Sequence, residues 1–155
     1  MSISFKIIDN IDNFLPLKED WNKLVESSEL NYTYMTHQWF ERWMLDFSRT
    51  NNLVIVTCYD NSRLVAAAPL RLETEKFKGL PVKVLGFMYS TISPRCNFIL
   101  EDFQYAVPLF DFIINKTNGW HIFLTRDIEN SLNTTTQFLD YLKEQYHGKC
   151  ITEPG

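Results

Sequence analysis

The 155 residues are the length of one ordinary domain. Hydrophobic residues make up 45% and aromatics 15%, material for a sizeable core, and charged residues at 22% argue against a disordered chain. The formal net charge of −4, with no run of lysine and arginine, argues against a nucleic-acid partner, whose phosphates call for a basic stripe.

The first residues, Met1 to Asp9, carry charge where a leader or anchor would need an apolar run, so Ser4 to Ile8 reads as a short strand. Phe14, Leu17, Trp21, Leu24 and Val25 then recur at helical spacing, with Asp12 or Asn13 available as the cap and Pro16 in the first turn. Thr36 is a natural N-cap for a second helix from His37 to Phe47, whose apolar stripe is Trp39, Phe40, Trp43, Met44 and Phe47. Two strands follow, Leu53 to Tyr59 and Leu64 to Leu72, joined by turn formers from Asp60 to Arg63 into an antiparallel hairpin. Pro69 cannot donate to a ladder, so it demands a bulge or an unpaired side within the second strand.

Val82 to Phe87 is a further strand, followed by a polar irregular segment, Tyr89 to Asn97, and a short apolar stretch, Phe98 to Leu100. The spacing predicts a helix from Tyr105 to Lys116 that buries Val107, Phe110, Ile113 and Ile114, ended by Asn118-Gly119. Trp120 to Leu124 is a strand. The last helix, capped near Asn133 or Thr134, buries Phe138, Leu139 and Leu142 and ends at His147-Gly148. Cys150 to Thr152 then begins one more strand. The order implies an α/β (α+β) domain over residues 1–155: a mixed, mainly antiparallel twisted sheet with helices on both faces.

The apolar runs from Leu64 to Leu70 and from Leu109 to Ile114 are broken by Pro69 and Asp111. Both fall far short of the roughly 20 residues of a membrane span. Cys58, Cys96 and Cys150 are odd in number and widely spaced, which fits neither a disulfide framework nor a metal site. Asn31, Asn115 and Asn133 open glycosylation-type triplets, which without a leader are coincidental, and the expected compartment is the cytoplasm.

Three stretches carry a family resemblance: Trp21-Asn-Lys-Leu24 with Met35-Thr-His-Gln-Trp39 and Trp43; Leu64-Val-Ala-Ala-Ala-Pro-Leu70; and Leu85-Gly-Phe87 leading into Ser93-Pro-Arg-Cys-Asn-Phe98. In order and spacing the chain resembles the N-terminal half of GNAT-like acyltransferases of the cellulose-biosynthesis type, which are related to Fem-type peptidyl transferases. The resemblance implies two GNAT-like halves around a shared cleft, with the acyl donor on the second half. Here that half would follow Glu153-Pro154-Gly155, so the chain is expected to be the N-terminal, acceptor-side piece of a longer protein.

A GNAT acyl-CoA site needs a loop of backbone N–H groups leading into a helix N-terminus, with the form Arg or Gln, two residues, Gly, one residue, then Gly or Ala. The nearest segment is Lys76-Phe-Lys-Gly79-Leu-Pro81, which has the wrong first residue and proline where a small residue must sit. The expectation is therefore no cofactor on this chain, with acetyl-CoA or acyl-CoA possible in the full-length protein.

The candidate substrate-binding residues are Ser93, Arg95 and Asn97 with Tyr89 in the polar segment, and His37 at the start of the aromatic helix. Arg95 suits a phosphate or carboxylate and Asn97 an amide, although an ion pair for Arg95 and a turn for Asn97 are the simpler account. His37 and Gln38 could face a cleft, but a cap or solvated surface is the simpler account. Cys58 with His37 or His121 could be imagined as nucleophile and base, whereas a small buried hydrophobe fits a strand better. Glu73, Glu75, Lys76 and Lys78 read as a solvated edge. The function expected is acceptor-side binding in an acyltransferase, inactive alone. The alternative is a non-catalytic module that self-associates through an exposed sheet edge near Cys150 to Thr152.

Overall fold

A computed structural model describes residues 2–47, 52–88, 90, 96–126, 128–129 and 131–146. Strand β1 (Ile3–Ile8) is followed by α1 (Ile11–Phe14) and α2 (Lys18–Ser27). The expected single first helix is thus split: Leu15–Leu17 form a 3-10 turn around Pro16. The cap is neither Asp12 nor Asn13 but Asn10, whose side chain accepts the Asn13 N–H at 2.9 Å. Helix α3 (His37–Phe47) has the expected bounds. Thr36 Oγ1 accepts from Trp39 N at 3.4 Å, and Asn22 Oδ1 of α2 takes the His37 N–H at 2.9 Å, so α2 shares in capping α3.

The hairpin forms as expected from β2 (Leu53–Asp60) and β3 (Arg63–Phe77), turning at Asn61 and Ser62 with φ of 49° and 72°. Positive φ at both positions matches the twist that a two-residue turn needs between antiparallel strands. β3 is longer than its apolar pattern suggested, because the charged half from Glu73 onward pairs with β4 (Leu80–Phe87). β4 leaves β3 at Pro69. Met88 N donates to Pro69 O at 2.9 Å, and proline has no N–H to return, so the pair closes on one bond. The chain rejoins β3 as β5 (Ile99–Leu100), opposite Ala67 and Ala66.

Helix α4 (Ala106–Lys116) crosses over to β6 (Ile122–Leu124), which lies parallel to β4, and α5 (Asn133–Tyr146) follows. The sheet order is β1-β2-β3-β4-β6, with every pair antiparallel except β4–β6. On one face Phe5 stacks on Phe112 of α4 at 4.4 Å, and Phe87 and Phe123 meet Phe98, which packs on Phe110 of α4 and Phe138 of α5. On the other face the Arg71 guanidinium lies 5.1 Å over the Trp43 ring of α3. Helices therefore cover both faces, as expected.

The helical phase of α4 differs from expectation: Ala106, Leu109, Phe110 and Ile113 are buried and Val107 is exposed. In α3, Phe47 is exposed and His37 takes a core position instead. The strand expected at Cys150 to Thr152 lies outside the described residues.

Candidate functional site

Open sheets bind ligands beyond the carboxyl ends of parallel strands. The parallel pair here is short: Val84, Leu85 and Gly86 of β4 match Ile122, Phe123 and Leu124 of β6. Gly86 is what lets the strands close. A Cβ at that position would stand 2.9 Å from the Leu124 carbonyl oxygen, nearer than a carbon tolerates. Along one face of this pair lies a cleft with Arg71, Glu73 and Glu75 of β3 on one side and Leu124 and Arg126 on the other.

Alternation along β3 puts Arg71, Glu73 and Glu75 on one face. Arg71 Nη1 pairs with Glu73 Oε1 at 2.8 Å, and Arg126 Nη2 reaches both oxygens of Glu75, at 3.0 and 3.2 Å. The cleft thus carries two cations and two carboxylates in two pairs, each charge met by its partner. Sequence reasoning passed over these residues, assigning Glu73 and Glu75 to a solvated edge. The available signal was the same-face spacing Arg71-x-Glu73-x-Glu75 beside Gly86.

The candidates from the sequence are placed differently. His37 is fully buried, its ring stacked on Phe14 at 4.2 Å with Nε2 2.9 Å from the Phe14 carbonyl, where it ties α1 to α3. Nδ1 has no hydrogen-bond partner among the described residues, and Glu41 Oε2 stands 3.9 Å away. Burial lowers its pKa against the opposing pull of the Phe14 carbonyl and Glu41, so the ring is held neutral. It is neither a cap nor a solvated residue, and it does not line the cleft.

Asn97 is also buried. Its Nδ2 donates to Thr135 Oγ1 of α5 at 2.8 Å and its Oδ1 accepts from Phe98 N at 2.8 Å. Ser93, Arg95 and Tyr89 lie outside the described residues.

Cys58 is buried, and burial together with the charge of Asp60 pushes its thiol up to about 11, so it is no thiolate nucleophile at neutral pH. His121 is engaged with the backbone: its Nδ1 accepts from Lys83 N at 2.9 Å, and its N–H donates to Lys83 O at 2.8 Å. Among the described residues no group of three His, Cys, Asp or Glu could hold a metal ion, and no helix is long and apolar enough to cross a membrane.

The segment nearest to a pyrophosphate loop, Lys76 to Pro81, is the β3–β4 turn, with φ of 49° at Lys78 and 83° at Gly79. A strand follows it, not a helix. The helix that does follow β4 starts through a 3-10 turn, Phe103–Tyr105. Asp102 Oδ1 accepts the Gln104 N–H at 2.8 Å, its carbonyl takes the Tyr105 N–H, and the Phe103 carbonyl takes the Ala106 N–H. Pro108 offers no N–H, and Glu101 beside the cap pairs with Arg63. No glycine occurs between Gly86 and Gly119.

No protein-family model and no curated protein matches the sequence. Solved structures do match in three dimensions. A ribosomal-protein-alanine N-acetyltransferase from Brucella melitensis biovar Abortus 2308 aligns over 100% of this chain and 97% of its own, with TM-score 0.57 and 13% identity. An aminoglycoside N-acetyltransferase in complex with CoA aligns over 99% and 91%, with TM-score 0.53 and 12% identity. An aminoglycoside acetyltransferase from an uncultured soil metagenomic sample aligns over 100% and 98%, with TM-score 0.54 and 9% identity. At such identities the likeness speaks to architecture alone, and the architecture of this chain is the GNAT acetyltransferase fold.

Proposed function

We propose that this chain is the acceptor-side domain of an acyl- or aminoacyl-transferring protein, with the acyl-CoA donor held on a second GNAT-like half. The observation that carries this reading is the amino end of α4. A pyrophosphate is bound by free backbone N–H groups and a positive helix end. Here the donors of the 3-10 turn that leads into α4 are taken by Asp102 and Phe103, the third helical position is proline, and the group that caps the turn is itself a carboxylate. An incoming diphosphate would displace satisfied bonds and face Asp102 directly. An amine-bearing acceptor suits the cleft instead: its ammonium would replace an arginine on Glu73 or Glu75, and the arginine so released would hold an anionic part of the same molecule.

The finer kinship, with the cellulose-biosynthesis and Fem-type transferases, rests on the three sequence stretches quoted above. Titration of acetyl-CoA into the full chain by calorimetry tests the division of labour, with no saturable heat expected up to about 1 mM. A Kd below about 100 μM would sink it. That outcome would favour a second reading, a self-sufficient acetyltransferase. The 97% and 98% coverage of two structures named as acetyltransferases supports this second reading.

A further inference from the structure

We propose that the tip of the β3–β4 hairpin is a docking point for an anionic lipid surface. Residues Lys76-Phe-Lys-Gly-Leu-Pro-Val-Lys83 contain three lysines and no acid, on a protein whose net charge is −4. Phe77 and Leu80 face each other across the two-residue turn, at 55% and 68% exposure. Positive φ at Lys78 and Gly79 fixes the turn, and the Lys78 ammonium sits 5.7 Å over the Phe77 ring. The acids behind the tip are neutralised locally, Glu75 by Arg126 and Glu73 by Arg71. The result is a convex apolar apex with a collar of flexible cations.

That chemistry matches the boundary between headgroups and acyl chains: the apex enters it while lysines meet the phosphates. The rest of the negative charge acts weakly, since at physiological salt charges beyond about 8 Å of the surface are screened. A protein partner fits less well. A stable protein contact needs roughly 800 Å² per side, with an anchor seated in a pocket, and two side chains on a narrow tip supply little of that. An apolar apex also has no use against a phosphate backbone.

Co-sedimentation of the full chain with vesicles in about 0.1 M salt tests the proposal. Binding to phosphatidylcholine vesicles holding about 30% phosphatidylglycerol is expected to exceed binding to pure phosphatidylcholine by about tenfold. Phe77→Ser with Leu80→Ser should lower it about tenfold. A second variant, Lys76→Gln, Lys78→Asn and Lys83→Gln, should abolish the preference for the anionic lipid, with asparagine chosen because it tolerates positive φ. Unchanged thermal melts confirm that both variants fold. Failure of the wild type to sediment with anionic vesicles would overturn the proposal, as would variants that sediment like it. Binding to polyglutamate without binding to vesicles would assign the tip to an acidic protein instead.

Discussion

Glu29 holds the amino end of a helix that begins more than a hundred residues later. Its Oε2 accepts from Thr134 N at 3.0 Å and Thr134 Oγ1 at 2.9 Å, and its Oε1 from Asn133 Nδ2 at 2.7 Å. Partial burial works to raise the pKa of this carboxyl, but the bonds from Thr134 and Asn133 outweigh it and the net direction is down. A lowered carboxyl pKa means that the unfolded chain binds the proton more readily, so the stabilisation is complete above about pH 4.3 and lost on acidification through the folded value. Glu29→Gln should cost about 1–2 kcal/mol at pH 7, as loss of a helix cap does. It should also flatten the acid limb of stability against pH in urea melts, and an unaltered limb would refute the assignment. His37 gives the same sign at a higher pH. Its lowered pKa favours the neutral ring in the fold, so stability should fall as pH drops below about 6.5 and His37→Phe should remove that dependence. Neither role was legible in the sequence. A remote carboxylate that caps a helix, or an imidazole that replaces a core aromatic, leaves no local pattern.

At the scale of elements the sequence is far more legible, because periodicity and turn chemistry are local. The hairpin turn, the bounds of α3 and the unpaired side at Pro69 all follow from residues within a few positions. The described residues of the three stretches that carry the family resemblance are largely core. Trp21 Nε1 donates to the Met35 carbonyl at 2.9 Å, and Val65 to Ala68 are buried on both sides of β3. They report packing, which explains why they point to a fold and leave its chemistry open. The cleft was missed because its partners are distant, Arg126 lying 51 residues from Glu75. Gly86 is the element-scale test. Gly86→Ala would press a Cβ against the Leu124 carbonyl, which belongs to the backbone and cannot rotate away. The variant should lose about 1–3 kcal/mol and expose those β6 amides that donate to β4 to faster hydrogen exchange. Wild-type protection at those amides would show that the strands tolerate the separation.

At the scale of the whole molecule, one residue joins the layers on the α4–α5 side. Phe98 has ring centroids of Phe87 (β4), Phe110 (α4) and Phe138 (α5) at 4.8 to 4.9 Å, and Phe123 (β6) at 6.4 Å. Asn97 beside it is bonded to Thr135 of α5. Four elements separated in sequence therefore share one buried ring, and its truncation cannot be absorbed by any one of them. Phe98→Ala should cost about 3–5 kcal/mol, a large part of the roughly 5–15 kcal/mol that holds a domain together. Phe98→Leu keeps most of the volume and should cost less than about 1.5 kcal/mol. The loss should appear as one cooperative transition at lower urea with α4, α5 and β6 melting together, because none of these elements keeps its apolar face covered without the others. A Phe98→Ala melt in which α5 is released first, while the sheet keeps its wild-type midpoint, would mean that the helical layer is a separate unit resting on the sheet.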